Sequence, residues 1–144
     1  MSPAQLDAAL VGRHLAALDT AVRQLRPHAG KPLADLGLDE RWTIERGLQV
    51  CIQNCLDIAT HLVAAAGRDV PDYTAAVDLL VDVGVLPAEF ARRFRGVAGF
   101  RNVLVHGYLD VDPALVHRML NERLDDFEVF ARHVEGHLAA AGRV

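Results

Sequence analysis

The chain contains no run approaching the ~18 consecutive apolar residues that would suggest a membrane span, although half of its 144 residues are hydrophobic. The expectation is a water-soluble protein without membrane contact. Its first residues, Met1-Ser2-Pro3-Ala4-Gln5-Leu6-Asp7, lack the basic start and apolar stretch of a secretory signal, so a cytoplasmic location is expected. Cysteine is scarce. Cys51 and Cys55 lie four apart in a helical pattern with no second Cys or His pair at zinc-site spacing, which favours small core residues of a reduced protein. Also absent are alternating runs bounded by hairpin signals, repeats, low-complexity tracts and linkers. Gly96 and Gly99 follow no strand, so Rossmann and P-loop routes to nucleotide binding are excluded. A net charge of −4 argues against a broad basic face for duplex nucleic acid.

What is present is helical periodicity. Leu6, Leu10, Leu15, Leu18, Val22 and Leu25 keep helical spacing up to Pro27. A second helix, predicted to start near Asp39 as N-cap, carries Ile44, Leu48, Cys51 or Ile52, Cys55, Ile58 or Ala59, and Leu62 on one face, and Gly67 closes it. Tyr73, Ala76, Val77 and Leu80 fit a short third helix that stops at Gly84. Pro87 opens a fourth, whose stripe Phe90, Phe94, Val97 and Ala98 runs directly into Arg101. Asp112-Pro113 then reads as N-cap and first helical position of a long last helix with Val116, Met119 or Leu120, Arg123 or Leu124, Phe127, Phe130 or Ala131, Val134 and Leu138 on its apolar stripe. The expected fold is all-α: an antiparallel four-helix bundle with an additional short helix, one domain spanning residues 1–144. A domain of this length can bury roughly two-thirds of the surface its unfolded chain exposes.

Charge is uneven along this framework. From Arg92 to Tyr108 there are four arginines and no acid, so the stretch carries +4 and the remainder −8. Within it, Phe100-Arg101-Asn102-Val103-Leu104-Val105-His106-Gly107-Tyr108 places chemically capable side chains in an apolar run. Arg101 falls in the middle of the Phe94-Val97 stripe at ~100° per residue. An arginine there keeps its charge and needs a carboxylate, a polar neighbour or a bound phosphate. One reading is an internal ion pair to an acid such as Asp57 on the second helix. His106 can take and give a proton near neutral pH, and Tyr108 adds a phenol that can bond a phosphate oxygen or be modified. Together they suggest cleavage of an RNA phosphodiester without a metal. His106 would deprotonate the ribose 2′-hydroxyl and Arg101 would stabilise charge on the phosphoryl oxygens.

Arg101-x4-His106-x-Tyr108, embedded as GFRNVLVHGYLDVD, resembles the R-x4-H-x-Y signature of the HepT-like toxins, a branch of the HEPN ribonucleases. The likeness extends over roughly residues 40 to 130, through ERGLQVCIQNCLDIATHL and VPDYTAAVDLLVDVGVLPAEFARRFRGVAGFRN. It implies a HEPN-like bundle, a metal-independent endoribonuclease leaving 2′,3′-cyclic phosphate ends without a cofactor, and a homodimer whose cleft holds the motif of both chains. It further implies an MntA-like minimal nucleotidyltransferase antitoxin that silences the toxin by adding AMP to the motif tyrosine. Carried over by position, Arg101 and His106 are the catalytic pair and Tyr108 the modified residue, with Asn102 in support and Asp57 a candidate for orienting Arg101.

Other constellations invite plainer readings. His133 and His137 lie four apart around Glu135, not in the H-E-x-x-H zinc-protease order, and read as an exposed, uninvolved pair. Asp57 and His61 suggest a contact on the helix surface, whereas His14, His28 and His117 have no partner at local spacing. Arg92, Arg93 and Arg95 are either an RNA-guiding patch or a solvated helix face. The competing functions are a non-catalytic nucleotide- or partner-binding subunit of a nucleotidyltransferase complex and a purely structural bundle. The latter must account for a centrally placed arginine without a ligand.

Overall fold

The computed structural model describes residues 5–107 and 111–142, and among these the regular structure is helical throughout. Helix α1 spans Ala8–Leu25, α2 Leu38–Ala65, α3 Tyr73–Asp82, α4 Ala88–Phe94, α5 Gly96–His106 and α6 Pro113–Ala140. Two single 3₁₀ turns, Arg26–His28 and Leu33–Asp35, bridge α1 to α2. None of the helices among the described residues is long and apolar enough to cross a membrane.

Helix ends follow local chemistry closely. The side chains of Asp7, Asp72 and Asp112 accept from the backbone N–H of Leu10, Ala75 and Ala114, capping α1, α3 and α6, and Pro113 occupies the first position of α6. Gly67 and Gly84 take positive φ just beyond α2 and α3, the conformation that lets the chain turn away. Asp39 is not the N-cap of α2. The extended residue is Gly37, and Asp39 with Glu40 lies in the first turn, where negative charge favours the exposed N–H groups of the helix end.

The expected single fourth helix is two. Its ladder is interrupted at Arg95, where the N–H of Ala98 reaches only the Arg95 carbonyl, at 3.2 Å. Gly96 and Gly99 weaken helical preference on the far side of this point, which makes an interruption cheap. The directions of the long helices are set by contacts at both ends. Asp7 and His14 on α1 meet His61 and Asn54 on α2, so these two are antiparallel. Phe90, Phe94 and Arg93 on α4 meet His133, Phe130 and Asp126 on α6, again in opposite order. α1, α2, α4–α5 and α6 form the bundle, and α3 is the additional short helix against α2.

One continuous apolar core runs through these helices, and among the described residues it contains no fully buried polar or charged side chain. Cys51 and Cys55 belong to it as free thiols. Burial pushes the Cys51 thiol up to about 12, and burial with the neighbouring Cys51 raises Cys55, so neither is a nucleophile at neutral pH. Between α4 and α6, Phe94 stacks on Phe130 with ring centroids 5.0 Å apart and meets Phe127 edge-on at 6.1 Å. Phe94→Ala opens a cavity at this junction and is expected to cost about 3–5 kcal/mol in urea unfolding. A loss below about 1 kcal/mol would show that α4 is not anchored through this ring.

Candidate active site

Arg101 does not lie in the middle of the buried stripe. Val97, Ala98 and Phe100 are buried, while Arg101 is half-buried at the edge of α5, facing α2 and α3. Its Nε donates to the Oε1 of Gln53 on α2 at 3.0 Å, and its Nη1 donates to Asn102 Oδ1 at 3.2 Å. The guanidinium also lies over the ring of Tyr73, the first residue of α3, at 5.2 Å from the centroid. A planar cation on an aromatic face is held without losing its outward N–H groups. Among the described residues Nη2 has no hydrogen-bond partner.

Gln53 is the residue that sequence reasoning missed. Its amide nitrogen donates to Asp57 Oδ1 at 2.8 Å and to the Tyr73 hydroxyl at 3.2 Å, which turns its carbonyl oxygen toward Arg101. Asp57 therefore reaches Arg101 only through Gln53, and makes no direct ion pair with it. The four-residue spacing of Gln53 and Asp57 on one helix was the available signal. Among the described residues Asp57 makes no hydrogen bond or ion pair with His61, whose Nε2 instead accepts from the backbone N–H of Asp7 at 2.9 Å.

His106 is the last residue of α5, exposed and without a hydrogen-bond partner among the described residues. The helix is unbroken from Arg101 to His106. Five residues of helix separate the two by about 7.5 Å along the axis and about 140° around it, so they project from different faces of one chain. Gly107 ends the helix, and a Cβ there would run into the Val103 carbonyl and the Val111 side chain. Tyr108 lies outside the described residues.

Of the upstream arginines, all three are exposed. Arg93 pairs with Asp126 at 3.1 Å and lies over the Phe90 ring, and Arg95 pairs with Asp78 at 3.3 Å. Arg92 has no ion-pair partner among the described residues. The other histidines find distant partners: His14 with Asn54 at 2.7 Å, His28 with Glu40 at 2.6 Å and His117 with the Lys31 carbonyl at 2.8 Å. His133 and His137 are half-buried rather than exposed, because His133 packs against Phe90. Among the described residues no three His, Cys, Asp or Glu side chains converge as a metal site would require.

The family profile described as Ribonuclease HepT-like matches residues 18–134. The chain belongs to this HepT-like family. It is 28% identical over 102 residues to the tRNA nuclease HepT of Aphanizomenon flos-aquae, covering 69% of each chain. It is 27% identical over 84 residues to the mRNA nuclease HepT of Shewanella oneidensis, covering 58% of this chain and 63% of that one. In fold it matches the tri-AMPylated Shewanella oneidensis HEPN toxin, solved in complex with its MNT antitoxin, with a TM-score of 0.78, 19% identity and coverage of 88% and 97%. It also matches the Bacillus subtilis cytosolic protein YutE, of unknown function, with a TM-score of 0.84, 16% identity and coverage of 96% and 95%. These likenesses establish a HEPN-type fold for this HepT-like chain.

The Gln53 contact has a measurable consequence. In Gln53→Ala the Arg101 Nε–H loses its acceptor, so its solvent exchange in ¹H–¹⁵N spectra is expected to accelerate while unfolding stability falls by no more than about 1–2 kcal/mol. Unchanged exchange would mean that Gln53 does not hold the guanidinium in solution.

Proposed function

We propose that this chain is a metal-independent endoribonuclease, the toxin half of a toxin–antitoxin pair. The observation that carries the reading is the holding of Arg101. Its Nε edge is tied to Gln53 over the Tyr73 ring, which leaves the Nη edge for phosphoryl oxygens, while the exposed imidazole of His106 stands at the end of the same helix. RNA is favoured as substrate class because the two HepT relatives are named as nucleases of tRNA and mRNA.

In the proposed reaction His106 takes the proton of a ribose 2′-hydroxyl, and the 2′-oxygen attacks the adjacent phosphorus. Arg101 stabilises the charge that builds on the non-bridging oxygens. The bond to the 5′-oxygen breaks, that oxygen takes up a proton, and the products are a 2′,3′-cyclic phosphate and a 5′-hydroxyl. Asn102 supports Arg101 from the same helix. Guidance of the strand falls mainly to Arg92, which has no ion-pair partner among the described residues, whereas Arg95 pairs with Asp78 and Arg93 shares Asp126 with Arg123. These steps require no cofactor.

The active unit we propose is a homodimer. Because α5 remains helical through His106, a single chain cannot easily aim Arg101 and His106 at one phosphate. A two-fold axis beside α5 would let two copies of the motif build one cleft and double its arginine charge. The restraining partner is an MntA-like nucleotidyltransferase that adds AMP to Tyr108, and the added bulk and negative charge would compete with substrate phosphate. The solved complex of an AMPylated HEPN toxin with an MNT antitoxin supports this reading.

Purified protein should cleave RNA in EDTA and leave cyclic phosphate ends, and His106→Ala or Arg101→Ala alone should abolish the cleavage. Mixing the two inactive variants should restore activity if one complete site can be assembled from two chains. Intact RNA with folded, unmodified wild-type protein would refute the enzyme reading, and full activity from a monomer in light scattering would refute the composite site. After incubation with the cognate transferase and ATP, mass spectrometry is expected to place AMP on Tyr108, with RNA cleavage lost in parallel. AMP found only on other residues would reject that assignment.

A further inference from the structure

Trp42 is the chain's single tryptophan, and 63% of it is exposed on the first turns of α2. It does not stand alone. Trp42, Arg46, Gln49, Gln53 and Asp57 recur at helical spacing within an arc of about 80° on α2, opposite the stripe that enters the core. Gln53, the member of the stripe bonded to Arg101, lies about 16 Å along the axis from Trp42, where the stripe begins.

Between these ends lies a cleft of about 540 Å³, lined on α2 by Trp42, Arg46 and Gln49 and bounded by Leu104 and Gly107 around the end of α5. The cleft therefore reaches the C-terminal end of α5 through Leu104 and Gly107, next to His106 in the chain. Its charged side chains are Arg41, Arg46 and Glu45, with His117 at the far wall. Arg41 Nε is held by the Leu36 carbonyl at 3.1 Å, whereas Arg46 makes one long contact, 3.4 Å, to Gln49. Two arginines against the single carboxylate of Glu45 leave the cleft with a positive balance.

We propose that this cleft is a subsite for single-stranded RNA, in which Trp42 stacks on a base flanking the cut and Arg46 meets the neighbouring phosphate. The inference rests on the ribonuclease reading above and extends it away from the reacting bond. An exposed indole beside an exposed guanidinium matches the way single strands are gripped, by stacking on aromatic faces along a cationic groove. Much of the remaining lining is apolar, including the exposed Leu38, so a protein contact is the competing occupant; the two arginines beside the indole favour a nucleic-acid strand.

Since Trp42 is the only tryptophan, its emission reports on this cleft without labelling. Wild-type protein should be titrated with a fluorescein-labelled 2′-O-methyl oligoribonucleotide, which lacks the attacking hydroxyl and stays intact. Anisotropy of the label reports binding, and Trp42 emission reports stacking. Binding is expected to quench Trp42. Trp42→Ala should weaken affinity about tenfold and Trp42→Phe much less, with the size in light scattering unchanged. Oligonucleotide binding that leaves Trp42 emission unaltered would overturn the subsite while sparing the ribonuclease reading. No binding by anisotropy would overturn both. A Trp42→Ala protein that loses RNA affinity together with its dimer would assign the cleft to a contact between copies and reject the proposal.

Discussion

The long second helix sets the constraint on which the remaining structure depends. Ten of its residues, from Ile44 to Val63, are buried, and a helix with so wide a dry face is stable only when other helices cover it. α1, α3, α5 and α6 all pack against it. The same requirement leaves its opposite stripe polar, and one residue of that stripe, Gln53, becomes the point where α3 and α5 meet α2 through Tyr73 and Arg101. The candidate site is thus a by-product of how the core is closed: Arg101, Gln53 and Tyr73 meet where the apolar faces end.

Electrostatics follows the same division. The chain is acidic, and the basic stretch before the motif is partly neutralised once folded, because Arg93 and Arg95 find Asp126 and Asp78 on other helices. Exposed pairs of this kind contribute little to stability, and their main effect is on the local field. Arg101 is held differently, by a neutral amide and an aromatic face, so its full charge remains. A carboxylate in the place of Gln53 would have cancelled it.

The helices themselves were legible because their signals are local. Asp112 and Pro113 mark a start, Gly67 and Gly84 mark ends, and the leucine and valine spacing gives the buried faces. The interruption at Arg95 was not read, since an arginine carries no breaking signal and the weak glycines follow it. Gly37 hid the true start of α2 behind the better capping residue Asp39. In the site, Arg101, Asn102 and His106 stood out by type and spacing, but Gln53 did not. An amide on a helix surface looks solvated until Tyr73 and Arg101 are folded onto it from 20 and 48 residues away. The partners of His14, His28 and His117 were hidden for the same reason.

The residue between the histidine and the tyrosine of the motif is written as though any side chain would serve, yet Gly107 is closed in by the Val103 carbonyl and by Val111. A larger residue there would have to shift the Val111 side chain and move away from the Val103 carbonyl, in the turn that carries His106. The histidine is thereby fixed at the rim of α5 by a residue that has no chemistry of its own, and the reach of the imidazole is decided by what its neighbour lacks.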